Sequence, residues 1–317
     1  MFADKLTALI KKKNNPTAAG LDPKLEYVPR SIRDRAFKDY GTGLEGAAGA
    51  ILQFNKKLID ALYDIVPAVK LQLAYYEMYG AEGVRAFSEA CSYARSKGLL
   101  VIADGKRNDI GTTAEAYSAA FLGRIRTDGE AIPVFDADAL TVNPFLGIDG
   151  IKPFIDDCER YGKGIFILVK TSNRSSGQLQ DLVTREGKAI YKKVARFVDE
   201  WGVATVGESG YSSVGAVVGA TYPEQAEILR SIMKKAYILV PGYGAQGGTA
   251  KDAARSFNDD GLGALINASR SIMCAWKAER WGGKYREEEF DGAARAEALR
   301  MRDEINEAIS CKGARYA

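Results

Sequence analysis

The sequence predicts one (β/α)8 barrel spanning residues 1–317 as a single domain with loop insertions. Three observations predict it: eight short apolar, β-branched runs, a stretch of helical spacing after each, and unusual charged or glycine-rich residues at the run ends, where barrel enzymes hold their chemistry. The runs are TAAGLD (17–22), AVKLQL (68–73), LLVIADG (99–105), ALTVN (139–143), GIFILVK (164–170), VATVGES (203–209), AYILVPG (236–242) and ALINAS (264–269). Between them, YGAEGVRAFSEACSYARSKG and TREGKAIYKKVARFVDEWG place apolar residues three and four apart, as amphipathic helices do. Strands alternating with helices pair in parallel, because each crossover needs a helix, and eight such units suffice to close a barrel. A doubly wound open sheet is the alternative.

MFADKLTALIKKKNN at the start carries charge on both sides of a short apolar stretch and lacks a small-residue cleavage pattern, so it predicts an amphipathic helix rather than a signal peptide. EEEFDGAARAEALRMRDEINEAI puts Ala294, Ala298, Met301 and Ile305 on one stripe and predicts the closing helix. The chain exceeds the roughly 250 residues typical of the fold. The surplus is expected at 23–62, 124–137, 171–182 and 271–290.

With 46% hydrophobic and 27% charged residues, disordered and fibrous classes are excluded. A net charge of +3, from 44 basic and 41 acidic residues, gives no electrostatic case for a nucleic-acid or membrane-surface partner, though a small anion fits. No run approaches the roughly 20 apolar residues that span a bilayer. Cys91, Cys158, Cys274 and Cys311 are far apart and form no C-x-x-C pair, which argues against zinc and disulfides and fits a reducing cytoplasm. There is no histidine, so acid–base work must fall to Lys, Asp, Glu, Tyr or Cys, and no metal site is expected.

The strongest candidate constellation is ADGKRNDIGTTAEAY, from Ala103. Residues two apart on a strand point the same way, so Asp104 and Lys106 should project together into the barrel mouth, with Asp109 on the following loop. A structural salt bridge is the plain alternative. Lys70, a lone charge in PAVKLQLAYYE, is by itself an ordinary strand-end lysine. Beside Asp104 it would complete a Lys–Asp–Lys–Asp chain that keeps the carboxylates ionised and one ammonium poised as a proton donor.

VPGYGAQGGTAKD and NASRSI follow the seventh and eighth runs, where such barrels commonly hold phosphate with backbone amides and a helix N-terminus. Arg270 could bind phosphate oxygens through a bidentate fork. Gly242, Gly244 and Gly247 also match G-x-G-x-x-G, but this dinucleotide pattern lies in the seventh unit instead of opening the chain and has no clear acidic partner downstream. Asp22 in AAGLDPK could accept from sugar hydroxyls or cap a turn. Thr171, Ser172 and Asn173 could read a base edge or be ordinary loop residues.

DGKRNDIGTT resembles the active-site signature of orotidine 5′-phosphate decarboxylases, Asp-x-Lys-x-x-Asp-Ile after strand three. The resemblance extends through AGLDP, the Lys70 strand, VKTSN, PGYGAQGG and NASRSI, in family order over about residues 17–275, and is nearest the larger bacterial subfamily. It implies cofactor-free conversion of orotidine monophosphate to uridine monophosphate, the last step of UMP synthesis. Lys106 would protonate C6, Asp104 would face the substrate carboxylate, and Lys70 would bond the ribose and the charged network. Asp109, Ile110 and Thr113 would reach the neighbouring subunit's site, making a homodimer. Asp22 would bind ribose and Ser172 the pyrimidine, with Pro241 near the ring; Gln246 would bind phosphate and base, Gly247 and Arg270 phosphate. Gly111 stands where many relatives have proline, and loops 23–62 and 271–290 have no family match that can be placed.

Three rivals remain open at this point. A magnesium-dependent sugar-phosphate decarboxylase of the same superfamily shares Asp-x-Lys-x-x-Asp. A Schiff-base aldolase would use Lys70 or Lys106. A non-catalytic nucleotide-binding barrel would keep the charged network as structure alone.

Overall fold

In the computed structural model, which describes residues 1–244, 247–311 and 313, eight parallel strands close on themselves. They are β1 (Thr17–Leu21), β2 (Ala68–Gln72), β3 (Leu100–Arg107), β4 (Ala139–Val142), β5 (Gly164–Lys170), β6 (Ser212–Val218), β7 (Ala236–Val240) and β8 (Ala264–Ala268). Each pairs with its sequence neighbours, and β8 pairs with β1 through Thr17–Ile266 and Ala19–Ala268. That last pairing excludes the open doubly wound sheet.

Seven strands lie on the expected runs. The sixth does not: Val203–Thr205 is a 3-10 turn, with Val203 exposed, and the strand is SSVGAVV at 212–218. Its small and hydroxyl residues disguise a fully buried strand. Gly215 is needed there, since a Cβ would come within 2.6 Å of the Tyr237 carbonyl oxygen. The hydroxyls of Thr205 and Ser212 satisfy each other at 2.8 Å.

The N-terminal segment forms α1 (Phe2–Lys13), whose apolar face plugs the bottom of the barrel. Phe2 meets Phe166 edge-on at 5.9 Å, and Thr7 Oγ1 bonds the Tyr237 hydroxyl at 2.7 Å. Burying each such side chain contributes about 1.5–3 kcal/mol. This plug leaves the C-terminal end of the strands as the open mouth.

The insertion 23–62 folds into α2 (Arg30–Tyr40) and α3 (Leu44–Leu62). Phe54 of α3 packs on Phe290 at 5.0 Å, at the start of the closing helix Phe290–Cys311. The expected stripe Ala294, Ala298, Met301 and Ile305 is buried. Residues 124–137 carry a small antiparallel hairpin, Ile125–Arg126 with Ala131–Ile132, and 271–290 hold short 3-10 turns. Among the described residues, no helix is long and apolar enough to cross a membrane.

Candidate active site

The mouth of the barrel is built around Asp104. Parallel register sets Asp104 of β3 beside Gln72 of β2 and Lys70 beside Ile102, so Lys70 and Gln72, two apart, both face inward. Lys70 Nζ lies 2.9 Å from Asp104 Oδ2 and 3.4 Å from Asp22 Oδ1. Lys106 Nζ lies 2.6 Å from Asp104 Oδ1. Gln72 Nε2 donates to Asp104 Oδ2 at 2.9 Å, and Thr141 Oγ1 donates to Asp104 Oδ1 at 2.8 Å. The Lys–Asp–Lys–Asp chain runs Lys106–Asp104–Lys70–Asp22, with Asp22 in the place expected for Asp109 and each oxygen of Asp104 accepting two donors.

Simple strand alternation is not what brings Lys106 to the mouth. The register of β3 against β4 shifts between Ala103 and Arg107, and Lys106 sits at φ 47°. A non-glycine residue in the left-handed region costs of order 1–3 kcal/mol and persists when its surroundings over-determine it. Here the Lys106 N–H donates to Thr141 Oγ1 at 3.0 Å, pinning the bulge.

Burial alone would raise the Asp104 carboxyl, but Lys70, Lys106 and their hydrogen bonds hold it well below the ordinary 3.8. Burial would likewise lower Lys70, but Asp104 and Asp22 push it above 10.5. Both groups are therefore charged at neutral pH. With two ammoniums already on Asp104, a divalent cation there would meet like-charge repulsion.

These groups floor a cavity of about 690 Å³ whose wall includes Asp22, Ser172, Pro241 and Arg270 as expected from sequence. Arg270 lies one turn from β8, at the start of the helix Arg270–Met273. Among the described residues, Asp109, Thr113 and Gly247 are not in the cavity wall. Asp109 is partly exposed, its Oδ1 accepting from the Ile110 N–H at 2.9 Å, and Ile110 and Thr113 are exposed. Gln246 lies outside the described residues. Gly111 takes φ +54°, which the fixed ring of a proline cannot adopt. Gly242, Gly244 and Gly247 all have positive φ, the Gly247 N–H donates to Gly244 O at 2.9 Å, and the short helix Ala250–Ala254 starts beyond the glycines, capped by Thr249.

Sequence reasoning missed Gln72, Thr141 and Asn267. Gln72 was legible, two residues beyond Lys70. Thr141 gave no signal, being an ordinary strand residue in ALTV. Asn267 lines the cavity, and among the described residues its buried Oδ1 has no hydrogen-bond partner.

A family model described as the orotidine 5′-phosphate decarboxylase / HUMPS family matches residues 51–280. The chain belongs to this family. Relatives carrying the orotidine 5′-phosphate decarboxylase name extend the likeness to nearly the whole chain. The one from Caldicellulosiruptor saccharolyticus is 42% identical over 309 residues, covering 98% of this chain and 99% of the relative. The one from Rhodopirellula baltica is 43% identical over 304 residues, covering 96% and 98%. The aligned lengths take in both insertions that the motifs alone could not place. Among solved structures, a putative orotidine-monophosphate decarboxylase from Toxoplasma gondii superposes with TM-score 0.77 at 27% identity, covering 98% of each chain. The UMP synthase of Leishmania donovani gives TM-score 0.73 at 32% identity, covering 96% of this chain and 56% of that one.

Proposed function

We infer that this chain is an orotidine 5′-phosphate decarboxylase, converting orotidine 5′-monophosphate to uridine 5′-monophosphate and carbon dioxide. The observation that carries the chemistry is the alternating network on Asp104: a buried carboxylate held ionised between Lys70 and Lys106. Heterolysis of the bond from C6 to the carboxylate releases carbon dioxide and leaves its electron pair in the ring plane, where conjugation does not spread it. Stabilisation must then be electrostatic, and an ammonium about 4 Å from a unit negative charge contributes roughly 4 kcal/mol at an effective dielectric of 20.

In this reading Lys106 supplies both that charge and the proton that C6 takes up. Asp104, kept ionised, faces the substrate carboxylate and disfavours it until carbon dioxide leaves. Lys70 holds Asp104 and reaches the ribose with Asp22, while Ser172 and Pro241 meet the pyrimidine. Arg270, Gly247 and Gln246 take the phosphate, and Gln246 also the base. Since these charge effects fall short of the roughly 8–23 kcal/mol that enzymes supply, binding of the remote phosphate has to help seat the ring. Asp109, Ile110 and Thr113, which are not in the wall of their own cavity among the described residues, complete the partner's site in a homodimer. The setting is cytoplasmic, as four unpaired, widely spaced thiols suit.

The test is the ultraviolet absorbance of orotidine monophosphate mixed with purified protein in excess chelator. Stoichiometric conversion to uridine monophosphate is expected. No conversion by folded protein would overturn the reading, and conversion that chelator abolishes would favour a metal-dependent decarboxylase.

A further inference from the structure

Lys170 ends β5 with a charge that the barrel itself does not call for. The rest of the strand is apolar, and the Lys170 side chain is 0% exposed, yet it does not line the cavity. A register shift against β6 between Leu168, which does line it, and Lys170 accompanies this change of side. The ammonium sits 2.7 Å from Asp181 Oδ1 and 4.7 Å from the ring centroid of Tyr222. Replacing a buried ion pair with apolar side chains of similar volume is often neutral or stabilising, so stability alone is weak reason for this one.

Its geometry suggests another use. Asp181 closes the loop that leaves β5, so the pair cinches residues 171–180 at their base. Inside the loop the Thr171 N–H donates to Gln180 Oε1 at 3.0 Å, and Gln180 Nε2 donates to Thr171 Oγ1 at 2.8 Å. On the other side Thr221 Oγ1 donates to the Ser172 carbonyl at 3.3 Å. Gly219 packs so tightly beneath that a Cβ would lie 2.7 Å from Ser172 Cβ. The Lys170 and Thr171 ties hold the chain on either side of Ser172, and Thr221 and Gly219 touch Ser172 itself, which lines the cavity.

We propose that Lys170, with Asp181 and Gln180, is a positioning residue that holds Ser172 against the substrate ring from outside the cavity. This rests on the decarboxylase reading above. Misplacing a contact by about 1 Å can cost 100-fold in rate. Lys170→Met removes the buried charge and leaves Asp181, which is 43% exposed, to water.

The experiment is a double-mutant cycle on the full chain with Lys170→Met, Ser172→Ala and both, reading kcat, KM, uridine monophosphate affinity and Tm. Lys170→Met should lower kcat/KM by about tenfold or more, with Tm unchanged or raised. In the Ser172→Ala background it should have no further effect, and Lys170→Arg should restore most of the loss. Additive losses, or a loss that tracks a fall in Tm, would overturn the proposal. Absence of turnover in the wild-type chain would sink the decarboxylase reading alone, and the cycle would then be read in nucleotide affinity; no nucleotide binding either would overturn both.

Discussion

Lys106 Nζ meets Asp104 Oδ1 at 2.6 Å because the chain between them turns through a left-handed residue, Lys106 itself, at φ 47°. The contact thus depends on a strained backbone that Thr141 stabilises from the next strand, and the site is only as well aimed as that bulge.

Thr141→Val tests the dependence. It removes a donor to Asp104 and the acceptor of the Lys106 N–H. Leaving such groups unpaired costs about 1–3 kcal/mol. A lower Tm and a kcat reduced about tenfold, with KM little changed, are expected, since 1.4 kcal/mol of misplaced transition-state stabilisation is tenfold in rate. Unchanged kcat would show that Lys106 is positioned without Thr141.

The site was legible in sequence to the extent that its members were chemically conspicuous. Charges in apolar runs announced Lys70 and Asp104, and the glycine-rich turn and Arg270 were picked out as candidates whose Gly242 and Arg270 line the cavity. The alternation argument reached the right pairing of Asp104 with Lys106 for an incomplete reason, because a bulge is set by contacts from the next strand rather than by local pattern. Strand β6 was misplaced because SSVGAVV is buried through small residues that periodicity does not flag, whereas VATV is apolar and partly exposed.

Arg270→Ala should chiefly raise KM for orotidine monophosphate, by about 10- to 100-fold if one charge-assisted fork to phosphate is lost. Steady-state kinetics over a wide substrate range decides it. An unchanged KM would remove Arg270 from the phosphate site.

Stability should respond to acid through Asp104. Its folded carboxyl lies below the ordinary 3.8, so its contribution is fully present above 3.8 and lost as pH falls from there towards the folded value. Lys70 is raised above 10.5, so its contribution is present below 10.5 and lost as pH rises through the folded value. Between those limits both contributions are constant. Denaturant melts of wild type and Asp104→Asn should therefore differ by a constant amount from about pH 5 to 8 and converge below about pH 4. A gap that persists undiminished at lower pH would contradict the assigned charge state.

The proposed homodimer, with Asp109 completing the partner's site, predicts complementation. Asp109→Ala and Lys106→Ala should each be inactive, and equal mixtures allowed to exchange subunits should recover about a quarter of wild-type activity, because half the dimers are hybrids with one intact site each. Mixtures as inactive as their components would place Asp109 in its own subunit's site or outside the chemistry.

The central claim is that the Lys106 ammonium acts in the transition state, and Lys106→Ala tests it most directly when turnover and product affinity are measured on the same preparation. A kcat lower by at least about 1000-fold, with uridine monophosphate affinity within a few-fold of wild type, is the predicted result. Near-normal turnover in that variant would contradict it and remove Lys106 as the proton donor.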